Sequence, residues 1–114
     1  IKNLKKKKTI NLFKDMFTST IDIKTCAKVI IDLALLQSKG IYNLGTRDMI
    51  SKENFAIYLS KFLKRKISYN SVSCDTLRVS RGKNLGLCVK KIEKKLGYFM
   101  PTAKQSIKRL AKYY

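Results

Sequence analysis

The chain has no histidine at all. That removes imidazole as base, acid or metal ligand, so histidine-dependent catalysis and a Cys–His nucleophile pair are both excluded within these 114 residues. Cysteine is scarce. Cys26, Cys74 and Cys88 are widely spaced, odd in number and form no Cys-x-x-Cys. Without histidine, this argues against a zinc site. The three read as reduced, buried thiols of a cytoplasmic protein. The five glycines make no phosphate loop, because Gly82 and Gly86 lack the third glycine and the preceding strand of a dinucleotide fingerprint. Tyr42 is followed by Thr46 where a Tyr-x-x-x-Lys pair needs lysine. Only seven residues are acidic: Asp15, Asp22, Asp32, Asp48, Glu53, Asp75 and Glu93. No two have a spacing that suggests joint acid–base work. No apolar run reaches membrane-spanning length, and the best, 29–36, is broken by Asp32. No apolar segment follows the basic residues Lys5 to Lys8, so no signal peptide is read there. The sequence begins at Ile1 without Met, which reads as a fragment or a processed product.

What the chain has in excess is positive charge: 26 Lys and Arg, and a net charge of +19. Two readings stand. One is a polyanion partner such as nucleic acid or phosphorylated ligands. The other is compositional bias toward lysine. Lysine greatly outnumbers arginine, isoleucine and asparagine are frequent, and the lysines are scattered over every segment. Nucleic-acid sites favour arginine for paired contacts and stacking, so the pattern weighs toward bias. Apolar content of 45% fits one globular domain with a modest core.

The chain is organised around Gly40 to Thr46 and the segment behind it. Residues 41–44 are rich in strand formers and closed by glycine on each side, which predicts a short, covered strand. A helix over 51–64 follows. Ser51 is its N-cap, Glu53 meets the positive end of its dipole, and Ile50 with Phe55 forms a hydrophobic staple. Phe55, Leu59 and Phe62 form its core stripe, and burying each contributes roughly 1.5–3 kcal/mol. Upstream, 1–8 reads as a basic lead-in, the end of a helix. Residues 9–13 alternate and predict a strand with Ile10 and Leu12 inward. Residues 17–21 form a hydroxyl-rich connection that either satisfies local backbone groups or faces a polar ligand. Thr25 is the expected N-cap of a helix to Ser38, stopped by Gly40; it is apolar nearly all round and so expected to be buried on most sides. Downstream, the pattern predicts a strand over 67–72, a loop over 74–84 and a helix over 87–96 closed by Gly97. A final helix starts at Pro101-Thr102, with Thr102 and Gln105 as a capping box and Ile107 and Leu110 inward. Arg81, in the loop with Arg78 and Lys83, is the best chemical candidate: a guanidinium can hold a diphosphate through paired hydrogen bonds. The other reading is a solvated loop arginine.

The order of these blocks carries a resemblance. It runs from the hydroxyl loop to Gly40-Ile41-Tyr42-Asn43-Leu44-Gly45, then Ile50-Ser51-Lys52-Glu53-Asn54-Phe55-Ala56. Arg81-Gly82-Lys83-Asn84-Leu85-Gly86-Leu87 and Lys91-Ile92-Glu93-Lys94-Lys95-Leu96-Gly97 complete it. From about Thr9 to about Leu110 the chain resembles the C-terminal part of the dTDP-4-dehydrorhamnose reductase group, extended short-chain dehydrogenases/reductases of the epimerase/dehydratase superfamily. The resemblance implies an α/β fold, the substrate-binding portion of a Rossmann-type enzyme, with short strands and about four helices. Residues 1–114 are then the sugar-nucleotide-binding portion. The N-terminal domain that binds NADP or NAD, with its Ser/Thr, Tyr and Lys catalytic set, is absent from this chain, so no catalytic residue is assigned here. The implied partner is a nucleotide-diphosphate sugar reduced at a keto group, in a cytoplasmic protein with no membrane contact; a homodimer is compatible with the family. By the same resemblance Arg81 matches the arginine directed at the diphosphate. Ser19 and Thr20 match a Ser-Pro-Thr loop near the substrate, and Asn84 matches the asparagine of the arginine block. Departures are Thr20 for proline, Ile21 for threonine, Gly82 for proline, Cys88 for a capping aspartate and Ala103 for tryptophan. Two other readings remain: a family member without chemistry that serves as a binding or regulatory subunit, and a small basic nucleic-acid-binding module motivated by charge alone.

Overall fold

The computed structural model describes residues 9–114, so the basic lead-in at 1–8 lies outside the described residues. Strand β1, Ile10–Phe13, lies parallel to β4, Tyr69–Val72, with Leu12 inward and buried. A second small sheet has β2, Phe17–Thr18, at its centre. It runs antiparallel to β3, Ile50–Ser51, and parallel to β5, Asn84–Leu85. Among the described residues four helices pack around these strands: α1 Ile23–Leu35, α2 Lys52–Phe62, α3 Lys90–Leu96 and α4 Ala103–Ala111. There are two cores. Val29, Val89, Ile92 and Met100 form one between α1 and α3. Ile50, Leu59, Ala103 and Ile107 form the other between α2 and α4.

Local chemistry sets several boundaries as the sequence predicts. Ser51 Oγ accepts from the Asn54 N–H at 3.1 Å and starts α2. The staple residues Ile50 and Phe55 meet in the second core, together with Leu59 and Phe62. Thr102 and Gln105 form the full capping box of α4, and Ile107 is buried beneath it. Gly97 ends α3 in the left-handed conformation, at φ 75°, where a side chain is strained.

Other expectations are corrected. The N-cap of α1 is Asp22, not Thr25. Its carboxylate accepts from both the backbone N–H of Thr25 at 3.0 Å and the Thr25 hydroxyl at 2.8 Å. A charged oxygen is the stronger acceptor, so the helix starts three residues earlier. It ends at Leu35 and turns through Gln37 at φ 46°, before Gly40 is reached. Burial on most sides is also not met: Val29 is its one buried residue, while Ile23, Ile30, Ile31 and Leu35 are exposed. With Ala27 and Ala34 these fall on one stripe of the helix.

Residues 41–44 form no strand. No described strand runs beside them, and a strand exists only with a hydrogen-bonded neighbour. The Ile41 carbonyl accepts from Lys91 Nζ at 2.8 Å instead. The connection at 17–21 begins as β2, because Phe17 and Thr18 find partners on both sides. The strand predicted over 67–72 is shortened to Tyr69–Val72, and the loop over 74–84 opens with a 3-10 turn, Cys74–Thr76. The helix predicted over 87–96 starts only at Lys90, after Val89, which offers no side-chain cap. Of the cysteines, only Cys74 is buried; Cys26 is half-buried, Cys88 is exposed, and all three are free. Among the described residues, no helix is long and apolar enough to cross a membrane.

In the 114-residue chain, Ile107→Ala should lower unfolding stability by about 2–5 kcal/mol, since it opens a cavity in the second core. Leu35→Ala, on the open stripe, should change it by less than about 0.5 kcal/mol. Denaturant unfolding measures both.

Candidate functional site

Ser19 is where distant blocks of the sequence converge. It is buried, one residue past β2. Its hydroxyl accepts from the Leu87 N–H at 3.1 Å, and its carbonyl accepts from the Thr46 N–H at 3.4 Å. A side chain on Gly45 would meet that carbonyl at 2.8 Å, so glycine there permits the close approach. The hydroxyl loop, the Gly40–Gly45 block and the Arg81–Leu87 block thus meet at one residue, through its hydroxyl and its backbone carbonyl. Asn84 is brought to the same place, because it pairs with Phe17 in the β2–β5 ladder. Its side-chain oxygen accepts from the Gly86 N–H at 3.1 Å and shapes the turn that follows. Thr20 is exposed and its hydroxyl bonds that of Thr18 at 2.9 Å.

Arg81 lies in the loop just before β5. It is exposed, and among the described residues it has no ion pair and no hydrogen bond. The loop itself is fixed at its two ends. Asp15, past the end of β1, accepts from the Ser73 hydroxyl at 2.6 Å and from the Cys74 N–H at 2.8 Å. Lys83 reaches Asp75 at 2.6 Å and Asp15 at 3.6 Å. The Ser73 hydroxyl first, then the Cys74 amide, hold the Asp15 carboxyl down at about 2. The Lys83 hydrogen bond lowers Asp75 and raises Lys83 in turn. Burial pushes the Cys74 thiol up, away from the reactive thiolate.

Sequence reasoning missed several members of this region. Thr46 is fully buried and donates to the Asp48 carbonyl at 2.8 Å. Asp48 in turn accepts from the Ala103 N–H at 2.6 Å and anchors the start of α4. Ser106 donates to Asp22 at 3.1 Å and accepts from the Asp22 N–H at 2.6 Å. No local motif announces these contacts, because each spans more than 50 residues or lies within a turn of no regular type.

Comparison with known proteins places this geometry. No family model matches the chain, and no curated protein sequence matches it. Solved structures do. A dTDP-4-dehydrorhamnose reductase from Bacillus anthracis, in complex with NADP, superposes with a TM-score of 0.87 at 17% identity, over 99% of this chain.

The fold is α/β and matches a C-terminal portion of a reductase/epimerase Rossmann-type fold.

RMD from Pseudomonas aeruginosa, complexed with NADPH, matches with a TM-score of 0.63 at 11% identity over 91% of this chain. A UDP-galactose 4-epimerase matches with a TM-score of 0.64 at 16% identity over 98%. The chain spans 41%, 35% and 38% of these three proteins' own lengths. These structural neighbours are an NADP-bound reductase, an NADPH-bound protein and an epimerase, and the likeness to them is one of fold.

The anchoring carboxylate gives a pH test. The pKa of Asp15 is depressed from 3.8 to about 2 on folding, so its stabilisation is present above about pH 4 and is lost as pH falls toward 2. Asp15→Asn should therefore cost stability at pH 5–7, and the gap from the parent protein should close between pH 4 and pH 2. Denaturant unfolding at a series of pH values reads it.

Proposed function

We propose that this chain is the substrate-binding part of an NAD(P)H-dependent nucleotide-sugar reductase of the dTDP-4-dehydrorhamnose reductase kind. One observation carries the reading: a superposition over 99% of this chain onto only 41% of a reductase crystallised with NADP. The exposed apolar stripe of α1 and the unpaired residues 41–44 support it. Both have the character of surfaces that a dinucleotide-binding domain would cover, the stripe by packing and the segment by strand pairing.

The described residues of this chain do not fit the cofactor. Among the described residues no strand leads through a glycine-rich turn into a helix; β3 enters α2 at Ser51. NADP or NAD therefore belongs to the other domain in this reading, and hydride transfer is not assigned to any side chain here. The role left to this chain is to hold the sugar nucleotide. Arg81 supplies paired donors for the diphosphate, and its freedom from any described carboxylate leaves it available. In this reading Ser19, Thr20 and Asn84, gathered around β2 and β5, join it in holding the sugar nucleotide. Among them Thr20 offers an exposed hydroxyl, while the Ser19 hydroxyl is committed to Leu87. The reading carries a cytoplasmic location, in line with three free thiols.

The full-length protein should oxidise NADPH in the presence of a dTDP-4-keto-6-deoxy sugar. Binding without turnover would indicate a non-catalytic family member, and neither binding nor turnover would refute the reading. Arg81→Ala should weaken sugar-nucleotide binding by about tenfold or more, as loss of a charged hydrogen-bond pair does. Arg78→Ala should change it less than twofold. Calorimetric titration compares them.

A further inference from the structure

A second concave surface lies apart from Ser19, between α1, α4 and the segment that joins α3 to α4. It encloses about 520 Å³ and is lined by Lys24, Thr25, Lys28, Tyr98, Phe99 and Arg109, beside Pro101. That volume is in the range of small-molecule sites. Three of the six side chains are cationic and two are aromatic.

The aromatic floor is held rigidly. Gly97 turns the chain at φ 75°, the Met100 N–H donates to Glu93 at 2.8 Å, and the Arg47 N–H donates to the Pro101 carbonyl at 3.1 Å. Met100 is buried as a result, whereas its neighbour Phe99 is left 72% exposed. The Arg47 guanidinium lies 4.2 Å from the Phe99 ring centroid. An exposed phenyl ring on a fixed backbone is a ready stacking platform for a planar base.

The walls are cationic. Lys28 sits 4.7 Å from the Tyr98 ring centroid and pairs with Asp32. Arg109 donates to the Thr25 hydroxyl at 2.7 Å, with the covered Asp22 carboxylate at 4.0 Å. Lys24 lies over the Tyr113 ring at 4.9 Å and pairs with no carboxylate among the described residues. A phosphate placed among these three cations would meet the unpaired charge of Lys24 and the partly neutralised charges of Lys28 and Arg109.

The geometry points to a nucleoside-monophosphate site in this groove, with the base stacked on Phe99 and the phosphate held between Lys24, Lys28 and Arg109. No residue of the groove belongs to the Ser19 and Arg81 region, so the site stands whether or not the reductase reading does.

The test is a titration of ¹⁵N-labelled full-length protein with AMP, following the amide resonances of Thr25, Phe99 and Arg109. Adenosine and inorganic phosphate are titrated separately. Within residues 9–114, saturable shifts should be confined to the groove, with AMP bound there at least tenfold more tightly than either half. Phe99→Ala should weaken AMP binding about tenfold, Lys24→Gln should also weaken it, and Arg81→Ala should leave it unchanged. Phe99 and Lys24 are exposed, so these variants keep the fold, and unmoved resonances elsewhere verify that. AMP binding in the groove no tighter than phosphate, no saturable shift at Thr25, Phe99 and Arg109, or indifference of those shifts to Phe99→Ala would each overturn the assignment.

Discussion

One buried carboxylate ties the two ends of the chain together. Asp22 is 4% exposed, and burying such a charge alone would cost several kcal/mol. Burial does push its carboxyl upward. The Thr25 amide, the Thr25 and Ser106 hydroxyls and Arg109 outweigh that and leave it lowered overall. The same contacts are structural. Through Thr25 the carboxylate starts α1, and through Ser106 and Arg109 it fixes that helix against α4, 84 residues away. Since Val29 of α1 belongs to one core and Ile107 of α4 to the other, this contact also sets how the two cores meet.

The register that follows leaves α1 with two unlike sides. Val29 and Leu33 face the first core. Ile23, Ile30, Ile31 and Leu35 face outward, an apolar stripe of the kind that soluble proteins keep for partners. The adjoining residues 41–44 have strand-forming side chains and no strand beside them. The two features lie close together along the chain. The chain spans 41% and 38% of the lengths of the reductase and the epimerase whose fold it matches.

The positive charge is distributed, yet it does different work in different places. Lys83 is consumed in holding Asp15 and Asp75, and so fixes the base of the loop that carries Arg81. Lys28 and Arg109 are each partly neutralised beside the groove, while Lys24 keeps its charge. Among the described residues only a few basic side chains therefore sit where an anion could meet both charge and shape. That is a more local picture than the composition suggests.

Local rules were written plainly in the sequence. Ser51, the Ile50–Phe55 staple, the Thr102–Gln105 box and Gly97 mark helix ends because the groups they satisfy lie within four residues of them. The spacing of Phe55, Leu59 and Phe62 likewise named the face of α2 that packs. The order of the glycine, asparagine and arginine blocks was enough to indicate the fold. Tertiary structure alone decided the rest. It made Asp22 rather than Thr25 the cap, since the carboxylate is also wanted by Ser106. It joined Phe17 and Thr18 to two distant partners, left 41–44 unpaired and turned the apolar side of α1 outward. It also gathered Gly45, Leu87 and Ser19 at one point. Pairing and burial depend on which surfaces come together across dozens of residues, and a linear pattern carries the demand for a partner without saying which one answers it.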